Sequence, residues 1–502
     1  MIAAHRRALA TVLAVGVAAQ CVCAVTMGGA LHADEIHQWA EPAWRVLHGS
    51  GHVTYEWRLG MRNVAGPGLV AAMYAVTDAL RLGVAGRTGA VWAMTGALSL
   101  MGVAALMECA LRWTRDRRAA WVTGLALALS APFMDLSFRT LGETFSTVTL
   151  ALALLSWVRR PSDPAPAGFW LGLGFVFRYP AGLYLVAPLA LLAWRRDRRG
   201  IARFALGAAI PVLGLGALDH FTWGSPWASV RAYVDFNLAR GGSLTFGTRP
   251  WWFYLGCAAT LAPWPVYLAA RAWRRRGAAP PYAAAPNSST HTPPRAASKG
   301  QRLPAKISAV PSELQSPVSL TTSPTSRTLP LYLALTYLAA MSALPHKEWR
   351  FFVPALAPLA LAAAVAGSPW TDRRARVALA LTLLQSVVIV EVMVDDDLHR
   401  RDLGLAARAA SQRPECRSLL VMDGGHPGVT RLAWDIPARF DSAWRFDRAL
   451  DALDHRWPRE PGRCAVCDRE RTPTCVPALT RRGFAPVARV GRAVVLREGH
   501  PL

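Results

Sequence analysis

Four ionisable side chains fall within five residues in the stretch HKEWRFF, which separates two apolar segments late in the chain: His346, Lys347, Glu348 and Arg350. Burying even one charge in a bilayer costs several kcal/mol, so this cluster must face water, a partner charge or a substrate. Lysine and arginine offer hydrogen-bond donors suited to phosphate, and histidine adds one when it is protonated. The stretch therefore predicts an anion-binding cluster at a helix junction, with an internal salt bridge as the alternative.

A second group of ionisable residues directly follows the first apolar segment. It contains Asp34 and Glu35, with His32 before them and Glu41 six residues after Glu35. A carboxylate at the boundary between water and bilayer can act as a general base, although acids are also ordinary at a solvated helix end. The following residues carry aromatic rings, which favour the membrane interface whatever the function: Trp39, Trp44, Tyr55 and Trp57. They predict a pair of interfacial helices.

Two arginines interrupt apolar stretches elsewhere in the chain. Arg139 lies in SFRTLGE and Arg178 lies in FRYP. An arginine near membrane depth is a candidate for a functional site, with a side chain that reaches to the interface as the alternative.

The elements that must position these residues are long apolar segments. Of the 502 residues, 53% are hydrophobic, and arginine-rich clusters separate the apolar runs, which is typical of a polytopic helical membrane protein. The net charge of +24 would suggest nucleic acid in a soluble protein. Here the positive-inside rule accounts for the clusters, and we exclude nucleic acid as a partner. The clusters lie at 5–7, 112–118, 195–199, 271–276 and 372–376.

The apolar segments predict an all-α membrane protein with about eleven crossings. The number of crossings between residues 32 and 112 stays open, because one of the segments 66–82 and 88–111 fits a non-spanning role. The first thirty residues also resemble a signal peptide, but the apolar run is long enough to span the bilayer. With the amino terminus in the cytoplasm, the polar and aromatic stretches collect on the opposite face. This asymmetry predicts an extracytoplasmic site.

Composition divides the chain into four predicted parts. Residues 1–276 form an amino-terminal transmembrane module, whose first extracytoplasmic loop (32–65) carries the acids. Residues 277–328 are rich in Ala, Pro, Ser and Thr, which predicts a disordered cytoplasmic linker. Residues 329–394 form the last transmembrane helices, and residues 395–502 form a small mixed α/β extracytoplasmic domain.

Four cysteines lie in this predicted carboxyl-terminal domain. Disulfides persist on the oxidising side of a membrane, and four cysteines allow three pairings between which the sequence does not choose. A zinc site with a nearby histidine, His426 or His455, is the alternative reading. The cysteines are Cys416, Cys464, Cys467 and Cys475.

The motifs resemble those of the glycosyltransferase family 22 mannosyltransferases, which extend GPI-anchor glycans and dolichol-linked oligosaccharides. HADE…HQWAE…GHVTYEWR is similar to the family's HPDE…TWEW, RNVAGP to RSxxxP, RTLGE to RTLxN and FRYP to FxxRP. FNLARGGSLTFGTRPWWFYL is similar to FN…YGxxPWxWY, and HKEWRF to HKExRF. The matches are collinear over roughly residues 8 to 430, without the linker. Glu143 departs from the family, since it stands where an asparagine is common.

The resemblance implies a GT-C fold and transfer of mannose, with inversion, from a polyprenyl (dolichyl) phosphate donor to a lipid-linked glycan acceptor. Such a displacement needs a base on the acceptor hydroxyl and cations on the leaving phosphate, and the anomeric carbon develops oxocarbenium-like charge. Asp34 is the predicted base, with Glu35 as the alternative. The predicted phosphate ligands are His346, Lys347, Arg350, Arg178 and Arg139. The predicted substrate-binding residues are His32, Glu41, Glu56, Trp57, Arg62 and Glu348.

The motifs do not require a cofactor, although a divalent metal stays open, since related folds include metal users. The predicted partners are the donor, the acceptor and membrane lipids. A transferase for another polyprenyl-phosphate sugar is the main alternative, followed by a transporter or flippase of lipid-linked sugars. Arginine outnumbers lysine 53 to 3, which suggests a GC-rich genome and favours a bacterial inner membrane with a periplasmic active site. A eukaryotic protein would have its site in the lumen of the endoplasmic reticulum.

Overall fold

The structure is a computed structural model that describes residues 2–26, 32, 34–49, 53–268, 327–422, 439–443, 462–468 and 474–499. Residues 277–326 of the predicted linker, together with His426 and His455, lie outside the described residues. The described chain is mostly helical and carries a small sheet near its carboxyl end. The predicted fold class, an all-α membrane module followed by a small mixed domain, is confirmed.

Seventeen α-helices lie within the described residues. In chain order the α-helices are α1 (Ile2–Thr26), α2 (Glu41–His48), α3 (Tyr55–Arg58), α4 (Ala65–Ala79), α5 (Val84–Thr114), α6 (Arg117–Ala128), α7 (Ala131–Ser137), α8 (Gly142–Arg159), α9 (Ala165–Phe177), α10 (Val186–Trp194), α11 (Arg198–Trp223), α12 (Ala228–Val234), α13 (Phe253–Leu261), α14 (Leu329–Ala343), α15 (Val353–Ala366), α16 (Asp372–Ser411) and α17 (Cys475–Thr480). Tighter or wider turns join several of them: π-helical turns at Glu35–Ala40 and Asp235–Ala239, and 3₁₀ turns at Tyr179–Leu185, Gly242–Phe246 and Trp349–Phe352.

Fewer helices than predicted are long and apolar enough to cross a bilayer. The described residues hold four such helices, at His5–Thr26, Val84–Thr114, Arg198–Trp223 and Trp349–Ala366, and a fifth if the bent pair α6 and α7 counts as one span. Shorter apolar helices at Ala165–Phe177, Tyr179–Trp194 and Leu329–Ala343 fall below the usual length. The predicted number of about eleven spans is therefore not confirmed.

Small residues bring α9 and α11 into close contact. A Cβ atom on Gly168 would lie 2.1 Å from the carbonyl oxygen of Phe204, and one on Gly207 would lie 2.0 Å from that of Ala165. Packing through small residues lets helix backbones approach closely in a membrane. This crossing fixes α9, which ends at Arg178.

Helix α8 separates two chemically different ends of the molecule. Its first turn contains Glu143, and its last residue, Arg159, lies 3.9 Å from Glu108. Glu108 in turn pairs with Arg112 at the end of α5. An α-helix rises about 1.5 Å per residue, so the position of Glu143 near the start of α8 places it about 24 Å from this arginine-rich end.

The carboxyl-terminal residues form a sheet with the strand order β2-β1-β3-β5-β4. Strands β1 (Ser418–Met422), β2 (Arg439–Ala443) and β3 (Arg463–Asp468) are parallel, whereas β4 (Phe484–Val490) and β5 (Ala493–Glu498) pair in antiparallel fashion. The strands expected in SLLVMD and ARVGRAVVLRE are present as β1 and as β4 with β5. Two disulfides join the sheet to its neighbours, Cys416 to Cys464 and Cys467 to Cys475, and thus use all four cysteines considered for zinc.

Candidate active site

A cavity of about 1370 Å³ collects most of the residues singled out in the sequence. Its wall is built from the first loop, the end of α7, the break between α9 and α10, the segment around residues 230–249, and the HKEWR stretch. The predicted residues that line it are His32, Asp34, Glu56, Arg62, Arg139, Arg178, His346, Lys347, Glu348 and Arg350. Glu35, Glu41 and Trp57 are not among the lining residues.

Asp34 and Arg350 meet in this cavity although 316 positions separate them in the sequence. The Asp34 carboxylate accepts a hydrogen bond from the Arg350 guanidinium. Burial raises the pKa of Asp34, but the positive charge of Arg350 outweighs it, so that the pKa lies below its ordinary value. Asp34 is therefore ionised at neutral pH, as a general base must be.

His32 lies beside Asp34 and is oriented by it. The backbone N–H of Asp34 donates to Nδ1 of His32 at 3.1 Å. This contact assigns the acceptor role to Nδ1 and leaves Nε2 as the protonated nitrogen of the neutral ring.

The HKEWR stretch carries its own internal ion pairs, centred on Glu348. Its carboxylate lies 2.9 Å from Nε2 of His346 and accepts from Nε of Arg350 at 2.6 Å. The other ring nitrogen of His346 lies 3.0 Å from the carbonyl oxygen of Gly247. Because both partners of the ring are acceptors, they favour the imidazolium form, and the bond to Glu348 raises the pKa of His346 above its usual value.

These contacts show the internal salt bridge that was the alternative interpretation of HKEWR, whereas anion binding by the stretch stays a prediction. Glu348 is mostly buried, and although burial raises its pKa, the charges of Arg350 and His346 bring it well below the ordinary value. Both N–H groups of the His346 imidazolium donate to protein acceptors, Glu348 and the carbonyl oxygen of Gly247. Arg350 donates from Nε and Nη2 to Glu348 and from Nη1 to Asp34.

Lys347 differs from its neighbours because no described carboxylate pairs with it. Its side chain is 5% exposed, and its ammonium donates to the carbonyl oxygens of Arg249, at 3.0 Å, and Leu344. Burial lowers the pKa of Lys347. An ammonium has three N–H donors, so one remains for a ligand in the cavity.

Glu143 is a buried acid beside the cavity arginines that the sequence reasoning did not select as a site residue. It is 1% exposed and lies 2.9 Å from Arg178 and 3.8 Å from Arg350. It thus balances two guanidinium groups at the end of the cavity that reaches into the helices. Its position in the first turn of an apolar helix was the available signal, but acids are common there.

Glu35 and Arg139 form a second buried group at the wall of the cavity, which Arg139 lines and Glu35 does not. The Glu35 carboxylate, 2% exposed, accepts from the indole N–H of Trp92 at 2.8 Å and from the backbone and hydroxyl of Thr140 at 3.1 Å each. Its other oxygen lies 3.6 Å from Arg139, which also pairs with Asp135 at 3.1 Å. Glu35 is therefore engaged in holding the RTLGE turn against the first loop.

The first loop contributes a further polar group to the cavity. Glu56 accepts from Arg62 at 2.7 Å, and the Arg62 guanidinium lies 5.8 Å above the ring of Tyr233. A carboxylate, a guanidinium and aromatic rings offer hydrogen bonds and flat surfaces suited to a polar ring-shaped ligand such as a sugar. Trp57 instead stacks on Trp223, at 6.0 Å between ring centroids.

No metal centre is evident within the described ranges, where no group of three or more His, Cys, Asp or Glu side chains is placed to hold an ion.

Curated relatives named GPI mannosyltransferase 3 match part of the chain. The protein from Candida albicans is 27% identical over 232 residues, which is 44% of this chain and 46% of that relative. The protein from Drosophila melanogaster is 28% identical over 230 residues, which is 44% of this chain and 39% of that relative. The chain thus spans less than half the length of the curated relatives it matches.

Comparison with solved structures gives the fold, and a family model gives the family. The crystal structure of ArnT from Cupriavidus metallidurans bound to undecaprenyl phosphate matches with a TM-score of 0.60 over 98% of both chains, at 13% sequence identity. This likeness confirms the predicted GT-C fold. The model of the Alg9-like mannosyltransferase family matches residues 11–395, which is most of the chain. The chain therefore belongs to the Alg9-like mannosyltransferase family.

Proposed function

We propose that the chain is an integral-membrane α-mannosyltransferase that moves mannose, with inversion, from a polyprenyl phosphate mannose donor to a lipid-linked glycan acceptor. The observation that carries this proposal is the contact between Asp34 and Arg350. It supports Asp34 as the base beside the cations of the HKEWR stretch, and both residues line the cavity of about 1370 Å³.

The proposed reaction is an in-line displacement at the anomeric carbon. The acceptor hydroxyl oxygen forms the new bond to this carbon while its proton passes to the Asp34 carboxylate. The bond between the anomeric carbon and the phosphate oxygen breaks, and its electron pair leaves with polyprenyl phosphate, which gains a negative charge. Cations near that oxygen stabilise the charge as it develops, and such electrostatic stabilisation is worth several kcal/mol in a water-poor site. Lys347 supplies one of these cations, since its ammonium has three N–H groups and donates to two carbonyl oxygens among the described residues.

The sugar and the acceptor are proposed from family membership. The Alg9-like mannosyltransferase family and the relatives named GPI mannosyltransferase 3 support mannose. The Glu56–Arg62 pair beside Tyr233 supports a glycan acceptor on the side of the cavity formed by the first loop.

We also propose that the cavity opens on the extracytoplasmic side, in a bacterial inner membrane. The arginine-rich end of α8 fits the cytoplasmic face under the positive-inside rule, and Glu143 lies at the other end of that helix. Helix α16 begins at the arginine-rich end, where Asp372 pairs with Arg118 at 2.7 Å. Its 40 residues are about 60 Å long, enough to carry the disulfide-bonded domain across.

Transfer by the purified full chain in nanodiscs tests the proposal. The donor would be undecaprenyl phosphate mannose, and the acceptors would be a mixture of lipid-linked glycans. Asp34→Asn is expected to lower kcat by about a thousandfold, since a positioned base contributes roughly 10²–10⁴-fold. Lys347→Ala is expected to lower kcat/KM by more than about tenfold.

The matched control variants are Asp235→Asn and Arg240→Ala, which alter an exposed ion pair outside the cavity. Both are expected to keep wild-type transfer. Transfer of glucose or another sugar, but not mannose, would establish the alternative transferase. Full activity of Asp34→Asn would show that another group is the base, and no transfer by wild type would contradict the proposal.

A further inference from the structure

Arg249 is attached to the HKEWR stretch through its backbone. Its N–H donates to the carbonyl oxygen of Pro345 at 3.0 Å, and its own carbonyl oxygen accepts from the ammonium of Lys347 at 3.0 Å. The exposed side chain of Arg249 lines the same cavity as Lys347. The two residues therefore form one wall of the cavity although they come from separate elements.

The charges of the cavity single out this wall. Four lining arginines each have a carboxylate partner: Arg350 has Asp34 and Glu348, Arg62 has Glu56, Arg139 has Asp135, and Arg178 has Glu143. His346 pairs with Glu348. Within the part of the chain that the structure describes, Lys347 and Arg249 have no carboxylate within ion-pair distance, and Arg58 on the first loop shares this property. Among these three described cations, Lys347 and Arg249 are connected by a hydrogen bond from the Lys347 ammonium to the Arg249 carbonyl oxygen.

We propose that Arg249 and Lys347 together bind the phosphate of the polyprenyl-phosphate donor, with Arg249 supplying the two-pronged contact. This inference rests on the proposed function and adds a residue that the sequence motifs did not assign. A guanidinium presents parallel N–H groups that match two phosphate oxygens, whereas an ammonium acts as a compact point charge. A buried ammonium held only by carbonyl dipoles is incomplete without an anion.

The proposal also gives different roles to the cations of the cavity. Arg350 is committed to Asp34 and Glu348, so it positions the base and screens its charge. Arg249 and Lys347 instead bind the leaving phosphate. The base and the leaving phosphate are thus served by different cations.

Binding of lipids by the full chain in nanodiscs tests the inference without requiring catalysis. The probes are undecaprenyl phosphate and undecaprenol, which share a tail and differ in the phosphate. Wild type is expected to prefer the phosphate. Arg249→Ala is expected to lower this preference about tenfold or more, because hydrogen bonds to charged groups are among the strongest in proteins. Arg249→Lys is expected to recover part of it, and binding of undecaprenol is expected to stay unchanged in both.

Arg240→Ala is the matched control, since Arg240 lies on the same segment, is 63% exposed and pairs with Asp235 outside the cavity. It is expected to keep the wild-type preference. Arg249→Gln guards against a folding defect of the alanine variant, because its longer side chain retains the packing. A wild-type preference in both Arg249→Ala and Arg249→Gln would overturn the inference.

Failure of the proposed function would look different. Wild type that binds undecaprenyl phosphate through Arg249 but transfers no mannose would retain the phosphate site and contradict the mannosyltransferase. In an active enzyme, Arg249→Ala is expected to raise the donor KM. The KM of this variant is also expected to depend less on salt concentration than the KM of wild type. If Arg249 had a purely structural role, substituting it would not change the preference of the protein for undecaprenyl phosphate over undecaprenol.

Discussion

The Glu35 carboxylate accepts a hydrogen bond from the indole N–H of Trp92 at 2.8 Å, while the next side chain in the sequence, that of Asp34, faces Arg350 in the cavity. Two adjacent acids therefore have opposite surroundings. Asp34 is accessible to a ligand, whereas Glu35 is buried and does not line the cavity. We infer that Asp34 acts in chemistry and that Glu35 supports the structure.

Substitution of the two acids separates these roles. Glu35→Ala is expected to lower the free energy of unfolding by about 3 kcal/mol, because it leaves the Trp92 and Thr140 donors and Arg139 without their acceptor. Asp34→Asn is expected to lower kcat about a thousandfold and to change stability less than Glu35→Ala does, because Arg350 keeps its pair with Glu348. Thermal unfolding in detergent, followed by Trp fluorescence, measures the first effect, and the transfer assay measures the second.

The reverse result would exchange the roles of the two acids. A Glu35→Gln variant that folds with wild-type stability and loses all transfer would make Glu35 a participant in the reaction. The isosteric Gln keeps an acceptor for Trp92 and so acts as the control for packing.

Glu143 is expected to be the most sensitive acid for stability. It lies between Arg178 and Arg350 with 1% exposure. Removing one partner of a buried ion pair costs about 3–5 kcal/mol, because the remaining charge is uncompensated. Glu143→Gln should therefore lower the unfolding temperature strongly and also weaken transfer, since both arginines lose their fixed position.

Glu108→Gln is the comparison for this prediction. Glu108 pairs with Arg112 at the arginine-rich end, where the pair is partly exposed, and exposed pairs contribute about 0–1 kcal/mol. An equal loss of stability in the two variants would contradict the argument from burial.

The pH dependence of stability follows from His346. Its bond to Glu348 raises its pKa above the ordinary 6.5. A group whose pKa is raised by folding adds stability that is fully present below the unfolded pKa and is lost as the pH rises through the folded pKa. The stability difference between wild type and His346→Gln is therefore expected to be largest at or below about pH 6 and to shrink at alkaline pH.

Thermal unfolding of both proteins across this range measures the difference. A constant difference at all pH values would mean that the ring is neutral throughout, and the imidazolium assignment would be wrong.

The sequence predicted much of the site because its residue types are rare in apolar surroundings. HKEWR, the acids of the first loop and two isolated arginines all stood out, and Asp34, Arg178 and Arg350 do lie around one cavity. The pairing of Asp34 with Arg350 was not predictable, because a contact across 316 positions depends on how the helices pack.

Other features could not be read from the sequence for local reasons. The side chains of Asp34 and Glu35 point in different directions because a π-helical turn begins at Glu35. No residue pattern in the sequence predicts such a turn. The contacts of Arg249 with Pro345 and Lys347 join two segments that are far apart in the sequence, so no local pattern predicts them. The number of spans is not confirmed, because several apolar helices of the described residues are short or broken and fall below the length of a full crossing.

The crossing of α9 and α11 gives a prediction that links packing to the site. A Cβ atom on Gly207 would lie 2.0 Å from the carbonyl oxygen of Ala165, so Gly207→Val must push the helices apart. Because α9 ends at Arg178, the shift would move this guanidinium away from Glu143. Overpacking of this kind costs about 1–3 kcal/mol or more, and transfer is expected to fall at least tenfold.

Gly214→Val is the matched control on the same helix, because nothing lies within 4 Å of a Cβ at Gly214. The side chain there would face open surroundings, so stability and transfer are both expected to stay near wild type. If Gly207→Val and Gly214→Val behaved alike in unfolding temperature and in transfer, the glycine crossing would not be what holds Arg178 in place, and the position of this arginine would have to depend on its pair with Glu143 alone.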